Sequence, residues 1–160
     1  MVTDNKTAEA PARTEFDKMV AGEWYRYRFG PELARLTTDT QRACRQITAL
    51  YDDDRAGAYA LFTELLGSVG EGADFRPPLY LDYGSRLHVG ANTFINADFL
   101  TLGGGEITIG ANVLIGPSAR LYTPVTRSTS VSGEPATSAC NRSSSRTTCG
   151  WAATWWSAPA

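Results

Sequence analysis

One feature of the sequence limits the possible folds more than any other: an aliphatic residue returns at six-residue intervals in the second half of the chain. Val89 and Ile95 are six positions apart, and so are Ile109, Ile115 and Leu121. Gly or Asn follows the first four of these, and such residues tolerate the positive φ values of tight corners. This period predicts a parallel β-helix with three short strands per turn, whose inward aliphatic side chains stack from coil to coil. The alternative is a series of ordinary β-hairpins with chance spacing.

The borders of the predicted β-helix follow from the same rhythm. A gap of fourteen residues separates Ile95 from Ile109, which is two intervals of six plus two. We therefore expect the segment "TLGGGE" to form a two-residue bulge or excursion. Pro77 and Pro78 forbid continuation of a preceding helix and favour extended backbone. The β-helix is predicted to span residues 73–125.

The chain before the β-helix, residues 14–72, is predicted to be helical. Thr14 is a candidate N-cap, with Asp17 three positions on in a capping box. Apolar residues at helical spacing indicate one buried face on each of two helices: Phe16, Met19, Val20 and Trp24 on the first, and Ala43, Ile47 and Leu50 on the second. A third, apolar helix within 54–72 is expected to end at glycines with left-handed C-cap geometry. Because these helices cannot form a large core alone, we expect them to pack on another part of the chain.

Charge and cysteine content exclude several functional classes. A net charge of −2 and a pI near 5.4 argue against nucleic-acid or membrane-surface binding as the main task. The sequence has no run of about 18 apolar residues, and residues 1–13 are expected to be a mobile tail because they lack the apolar core of a secretory signal. The three cysteines, Cys44, Cys140 and Cys149, lack metal-ligand spacing, so we expect neither a metal site nor a disulfide framework. The predicted compartment is the cytoplasm.

Two blocks of sequence resemble a known family. "KMVAGEWYR" followed by "RACRQITALYDDD" is similar to the helical maltose-acetyltransferase module, and "RPPLYLDYGSRLHVGANTFINADFLTL" followed by "ITIGANVLIGPSARLYTP" resembles the entry into a left-handed β-helix. This order is typical of the hexapeptide-repeat sugar O-acetyltransferases, the group of maltose, galactoside and nodulation-factor acetyltransferases. The resemblance implies an α+β fold, with a helical module followed by a truncated left-handed parallel β-helix. It also implies a homotrimer with acceptor sites between neighbouring β-helices, acetyl-CoA as donor, a sugar hydroxyl as acceptor, and no metal.

The resemblance maps candidate substrate-binding residues onto this chain. Asn96 in "FINADF" matches the family's active-site asparagine, whose amide would hold the acceptor or the oxyanion region; the alternative is that Asn96 is only a corner residue. Asp82 and Phe94 fall where the family lines its acceptor pocket. Tyr83 and Asp98 are their neighbours, and each is expected to have a structural role before a catalytic one. The resemblance assigns no individual CoA-binding residue.

The general base of the family is missing from its expected place. Relatives carry a histidine shortly after "YT", whereas Thr126 occupies that position here. A threonine hydroxyl is not basic at neutral pH and cannot replace an imidazole. The one histidine of the chain, His88, alternates with inward aliphatic residues, and we expect a structural or surface role for it. Gly104 falls where some relatives place an aspartate, which leaves the acceptor preference open.

The six-residue rhythm stops at residue 126, and residues 126–160 are predicted to be irregular. Val131 is their only large aliphatic residue. One interpretation is an interaction tail anchored by "WAATWW". The other is that one base was lost near Val125, so that the tail is read out of frame. Because Trp has a single codon, reading one base earlier forces a glycine at "WA" and a valine at "WW", and "CGWAATWW" then permits "VWLGGNVV".

The sequence therefore predicts a sugar O-acetyltransferase lineage. Transfer by this chain is expected to be impaired, because it lacks the catalytic histidine and the later coils that bind CoA in relatives. The alternatives are a non-catalytic trimeric β-helix that binds a partner, or a degraded gene product without function.

Overall fold

A computed structural model describes residues 13–127 and 137–140 of the chain. The tail expected at residues 1–13 lies outside this part except for Arg13, whose guanidinium pairs with Glu23 at 2.6 Å. Three helices come first: α1 (Glu15–Ala21), α2 (Pro31–Leu50) and α3 (Arg55–Leu65). A short strand, β1 (Trp24–Tyr25), and a 3₁₀ turn (Tyr27–Phe29) connect α1 to α2. In the described part of the chain, no helix is both long enough and apolar enough to cross a membrane.

The capping box predicted for α1 is confirmed. The backbone N–H of Asp17 donates to the Thr14 hydroxyl at 3.1 Å, and the Thr14 N–H donates to the Asp17 carboxylate at 2.9 Å. The Thr14 N–H and the Thr14 hydroxyl both donate to the Asp17 carboxylate, and these two bonds lower the pKa of Asp17 because they favour its ionised form. Gly22, with φ of 73°, ends the helix in the left-handed conformation.

Nine short strands follow and form three coils of a left-handed parallel β-helix. The first coil contains β2 (Ser68–Val69), β3 (Asp74–Phe75) and β4 (Leu79–Leu81); the second contains β5 (Leu87–Val89), β6 (Phe94–Ile95) and β7 (Phe99–Leu102); the third contains β8 (Ile107–Ile109), β9 (Leu114–Ile115) and β10 (Arg120–Tyr122). The strands stack into three parallel sheets, β2-β5-β8, β3-β6-β9 and β4-β7-β10. Val69 lies opposite Val89 and Val89 opposite Ile109, so each coil takes 20 residues.

The excursion expected at "TLGGGE" is confirmed by this register. Thr101 occupies the inward position between Leu81 and Leu121, and it is six residues after Ile95 but eight before Ile109. The two additional residues fall in the segment between β7 and β8. The first coil has the same feature, since a 3₁₀ turn (Gly84–Arg86) connects β4 to β5.

The expected boundary between the helices and the β-helix is corrected by the structure. Helix α3 ends at Leu65, not near residue 72, and the β-helix begins at β2, not at residue 73. Leu66 is already extended, with φ of −85° and ψ of 156°. The backbone N–H groups of Gly67 and Gly70 then donate to Leu87 and Val89, so these glycines belong to the β-ladder and do not form a helix C-cap. Backbone pairing with the second coil outweighs the helical pattern here.

Positive φ values occur at the corners, as expected from the residues that follow the aliphatic positions. Asn92 and Asn112 have φ of 53° and 58°, and Asp98 has φ of 62°. Ser118, with φ of 60°, occupies the corner equivalent to Asp98 one coil later. The Asn92 amide donates to the Asn112 side chain at 3.4 Å, which connects two coils at one corner.

Helices α2 and α3 pack on the first coil, so the expectation that they use another part of the chain is confirmed. One core joins buried side chains of both helices to those of all three coils; among them are Cys44, Ile47, Phe62, Phe75, Leu81, Ile95 and Ile109. The rings of Phe62 and Phe75 stack with centroids 4.2 Å apart. The buried stripe of α2 differs from the expected one, because Ala43 and Leu50 are only half-buried, whereas Cys44 is buried.

The described part of the segment expected to be irregular, residues 126–160, contains one whole strand and the second half of a strand that begins before residue 126. Strand β11 (Pro124–Arg127) pairs antiparallel with β12 (Thr137–Cys140), and β12 pairs with β1. Backbone hydrogen bonding to β1 and β11 explains why residues 137–140 are extended although the aliphatic rhythm has stopped. The rest of the expected irregular segment lies outside the described residues.

Candidate functional site

Asn96 lies at the corner between β6 and β7, which we call the Asn96 corner (residues 96–98). Its backbone N–H donates to the carbonyl of Ile115 at 3.1 Å, so the β-ladder fixes its position. Its side-chain Oδ1 accepts the N–H of Ala97 at 2.8 Å. Within the described residues no hydrogen bond uses its amide Nδ2. Asn96 is therefore a corner residue whose amide Nδ2 donates no hydrogen bond within the described part of the chain.

The two neighbours of Asn96 named by the sequence lie on either side of it. Phe94 is a half-buried residue of β6, with its Cα opposite Asp74 in the coil before and Leu114 in the coil after. Leu114 is 70% exposed, so the surface just before the Asn96 corner carries an exposed apolar side chain. Asp98 follows at positive φ, and its carboxylate lies 3.4 Å from the Arg120 guanidinium.

Asp82 and Tyr83 lie at the next corner of the β-helix, after β4. The Asp82 carboxylate accepts the N–H of Gly103 at 2.9 Å, and this hydrogen bond connects the segment after β4 to the segment after β7. Tyr83 is buried in a small cluster with Met19, Tyr25 and Leu33. Because the β4-β7-β10 sheet separates the two corners, a single chain does not bring Asp82 and Asn96 into one site.

A groove lies between α2 and the outer surface of strands β4 and β7, and we call it the α2 groove. Its volume is about 690 Å³, within the range of small-molecule pockets. The lining residues come from α2 and from the strands: Gln41, Cys44, Arg45, Thr48 and Ala49 on one side, and Pro78, Leu79, Tyr80, Leu81, Asp82, Leu100, Thr101 and Leu102 on the other. Burial raises the pKa of the Cys44 thiol, so the neutral form lines this groove.

The remaining residues singled out by the sequence lie in three separate places. Gly104 packs under α1, against the side chain of Met19. Thr126 belongs to β11, with its Cα opposite Ser138 of β12. His88 is outward-facing between the buried residues Leu87 and Val89, as its alternation predicted.

Sequence reasoning missed the neighbours of His88. Its Nδ1 lies 3.0 Å from the Ser68 hydroxyl, and its Nε2 lies 3.4 Å from the Glu106 carboxylate. The signal that could have found Ser68 is the coil length, since residues 20 apart stand next to each other on one face. Residues 68 and 69 fall in the segment predicted to be helical, so the sequence prediction does not place Ser68 opposite His88.

Comparisons with known proteins agree with this architecture. A family profile described as "Maltose acetyltransferase hexapeptide capping motif" matches residues 18–70, the segment that contains α2, α3 and β2. Nodulation protein L of Rhizobium meliloti is 32% identical over 111 residues, which are 69% of this chain and 60% of that protein.

Solved structures extend the similarity to the β-helix. A hexapeptide-repeat containing acetyltransferase of Vibrio cholerae, solved in complex with acetyl coenzyme A, is 32% identical with a TM-score of 0.65, over 80% of this chain and 68% of that one. A maltose O-acetyltransferase of Clostridium difficile is 28% identical with a TM-score of 0.69, over 74% of this chain and 63% of that one.

The chain matches only part of its relatives, which limits the properties that these similarities can transfer to it. The chain spans 55–60% of the length of the first curated relatives that it matches. Within that span, the helical capping motif, the three coils and the identity to the acetyltransferase of Vibrio cholerae agree with one another. The chain belongs to the hexapeptide-repeat acetyltransferase family.

Proposed function

We propose that this protein is of the acetyl-CoA-dependent sugar O-acetyltransferase type, which moves an acetyl group from acetyl-CoA to a sugar hydroxyl. The observation that carries the proposal is the packing of the capping-motif helices directly on the first coil, ahead of a corner that presents the Asn96 amide. Similarity to a maltose O-acetyltransferase supports a sugar as the acceptor.

The chemistry assigns a role to the Asn96 amide. A neutral hydroxyl attacks a thioester slowly unless a base removes its proton, and the tetrahedral intermediate carries an oxyanion. The Asn96 Nδ2 is a hydrogen-bond donor without a partner among the described residues, so it can hold the acceptor hydroxyl or that oxyanion. Its Oδ1 is held by the N–H of Ala97, which fixes the direction of the amide.

The chain as written lacks the base for this reaction. Thr126 occupies the position expected for the histidine, and its hydroxyl cannot accept a proton at neutral pH. A general base contributes about 10²–10⁴-fold to such reactions, so we expect acetyl transfer slower than that of full-length relatives by a factor in this range or beyond.

The experiment measures the acetylated sugar and the sugar-dependent release of CoA thiol, taken as the difference between the rates with and without maltose or a galactoside. The chain as written and a version whose reading frame is restored near codon 125 are compared side by side. Transfer by the restored protein alone supports both the acetyltransferase assignment and the impairment. Transfer by the chain as written at the rate of its relatives refutes the impairment, and transfer by neither refutes the assignment.

Asn96→Asp, introduced into the restored protein, tests the amide. The carboxylate keeps the acceptor for the Ala97 N–H and removes the Nδ2 donor. We expect a loss of about 10²-fold in kcat, the cost of removing one oxyanion donor, with the thermal stability preserved. Gln46→Glu on the exposed surface of α2 is the matched amide-to-acid control.

Assembly into a homotrimer is part of the same proposal. The outer surface of the β4-β7-β10 sheet exposes apolar side chains on all three strands: Tyr80 is 49% exposed, Leu102 42% and Tyr122 63%. A second β-helix against this surface would cover them and would give each acceptor site residues from two chains. Light scattering of the wild type and of Leu102→Lys tests this; a trimer that becomes monomeric supports the surface, and a trimer that persists in the variant rejects it.

A further inference from the structure

Three polar side chains form a row on the outer surface of the β2-β5-β8 sheet, with a hydrogen bond between the first two and a close charged contact between the second and the third. The Ser68 hydroxyl lies 3.0 Å from Nδ1 of His88, and Nε2 of the same ring lies 3.4 Å from Oε1 of Glu106. Each residue comes from a different coil, so the row runs along the axis of the β-helix. We call it the Ser68 row. It lies on a different sheet from the Asn96 corner and the α2 groove.

The β-ladder and one glycine fix the geometry of the row. Ser68 and His88 are direct Cα partners in the parallel pairing of β2 with β5. Burial of Leu87 and Val89 on the opposite side holds His88 outward. A Cβ added to Gly67 would lie 2.6 Å from Cε1 of the imidazole, so the absence of a side chain at this position makes room for the ring.

This arrangement has the features of an activated nucleophile. A hydroxyl within hydrogen-bond reach of an imidazole, whose other nitrogen is oriented by a carboxylate, defines the nucleophile, base and orienting group of covalent catalysis. Ser68 is exposed, so a small molecule can reach its oxygen. The imidazole is half-buried, with 30% of its side chain exposed.

A positive charge lies beside the row. The Arg86 guanidinium is 3.9 Å from the second carboxylate oxygen of Glu106, and 17% of its side chain is exposed. Its Nε is buried and has no hydrogen-bond partner among the described residues. Glu106 therefore lies between Arg86 and His88, where its carboxylate can orient the imidazole.

We propose that Ser68 is a nucleophile activated by His88 and Glu106, and that it accepts the acyl group of small activated esters and thioesters. The Ser68 oxygen forms a bond to the acyl carbon while its proton moves to Nδ1 of His88. The bond between the acyl carbon and the leaving oxygen or sulfur then breaks, and the leaving group takes the proton from the imidazole. Water, deprotonated by the same ring, later hydrolyses the acyl-serine and releases the carboxylic acid.

The relative rates of the two half-reactions decide what is observed. An aryl oxide or thiolate leaves much more readily than the alkoxide of serine, so acylation is faster than deacylation. The acyl-serine therefore accumulates, and the expected signature is a burst of leaving group stoichiometric with the protein. This reaction does not use the Asn96 corner, so its test is independent of the proposed sugar acetylation.

The experiment uses p-nitrophenyl acetate with the full-length chain. We expect a burst of p-nitrophenolate, and mass spectrometry is expected to find one acetyl group on the peptide that contains Ser68. Ser68→Ala removes both signals. His88→Gln slows the burst by about 100-fold or more, the lower range of a general-base contribution. Glu106→Gln slows it less and changes the shape of its pH profile, which a purely structural role would not do.

Thr108→Ala is the matched control. Thr108 is the Cα partner of His88 on the other side, in β8, and it is exposed on the same face. The burst and the circular dichroism spectrum of Thr108→Ala should equal those of the wild type. An acetyl group found on cysteine or lysine and absent from Ser68 overturns the proposal, as does a burst of unchanged rate in His88→Gln.

Discussion

The thioether of Met19 lies against Gly104, in the space that a side chain at position 104 would fill. A Cβ built on this glycine would be 2.0 Å from the Met19 sulfur and 2.6 Å from its Cγ. Met19 is 1% exposed and belongs to the cluster that also buries Tyr25, Leu33 and Tyr83. Helix α1 is therefore anchored on the excursion between the second and third coils, and the glycine is required by packing.

The first prediction concerns this contact. Gly104→Ala forces Met19 out of its position, because a separation of 2.0 Å is far below any van der Waals contact. Overpacking of this kind costs typically about 1–3 kcal/mol of unfolding free energy. Urea denaturation should show a lower midpoint with an unchanged m-value.

A control and a second variant make this test specific. A Cβ added to Gly110 meets no atom within 4 Å, so Gly110→Ala should leave the midpoint nearly unchanged. Met19→Ala combined with Gly104→Ala should cost less than the sum of the two single variants, because the smaller side chain vacates the space. Strict additivity of the two would show that the contact does not exist in solution.

The second prediction compares two buried threonines of the second coil. The Thr93 hydroxyl donates to the carbonyl of Gly110 at 2.7 Å and accepts the N–H of Val113 at 3.2 Å. Thr93→Val leaves both backbone groups without this partner, which costs about 1–3 kcal/mol for each group that is fully desolvated. Thermal or urea unfolding should show a clear loss of stability.

Thr101→Val is the matched comparison. Thr101 is 4% exposed and stacks between Leu81 and Leu121, and no hydrogen bond of its hydroxyl is present among the described residues. Replacement of the hydroxyl by a methyl group adds apolar contact to this stack and should be neutral or stabilising. If Thr93→Val and Thr101→Val destabilise the chain equally, the hydrogen bonds of Thr93 do not explain the effect.

These two threonines also show how far the sequence determines the fold. The rhythm of Val89, Ile95 and Ile109 predicts the β-helix, and the gap before Ile109 predicts the excursion. The inward position within that gap is Thr101, which a search for aliphatic residues passes over. A polar residue is tolerated there because the neighbouring stack residues supply the apolar contacts.

The first coil shows a second limit of prediction from the sequence, because here an aliphatic pattern is present but lies next to a helical one. Val69, Phe75 and Leu81 have the six-residue spacing, but Ser68 and Val69 follow a strongly helical stretch, so the prediction places these two residues in the helical module and starts the β-helix only at residue 73. Pairing with β5 decides the conformation of these residues, and such a long-range contact leaves no local signal. The acceptor site has the same limitation, because Asp82 and Asn96 lie at different corners of one chain.

The third prediction concerns the Cys44 thiol and pH. Burial is the main cause that raises its pKa from the ordinary value of 9.0, so the folded chain holds the proton longer than the unfolded chain. The stabilisation that results is fully present below the pKa of the unfolded thiol, and it is lost as the pH rises through the folded value. The free energy of unfolding should therefore decline in alkaline solution, and this part of the decline should be absent in Cys44→Ala.

Alkylation measures directly how well the folded chain protects the Cys44 thiol. Iodoacetamide reacts with the thiolate, so the peptide that contains Cys44 should be labelled much more slowly in the folded protein than in urea. Equal labelling rates at neutral pH in both conditions would show that the thiol is accessible and not buried.

The last prediction concerns the reading frame near codon 125. The aliphatic rhythm ends where Thr126 replaces the expected histidine, and the frame one base earlier forces a glycine at Trp151–Ala152 and a valine at Trp155–Trp156. Resequencing of the gene across codons 122–128 should reveal one additional base, and the protein translated from it should carry histidine at position 126 and resume the six-residue rhythm. That protein should acetylate a sugar, whereas Thr126→His in the chain as written should not, because a base alone does not supply the later coils. An uninterrupted reading frame across these codons, together with acetyl transfer by Thr126→His alone, would show that residues 126–160 are the natural continuation of this chain.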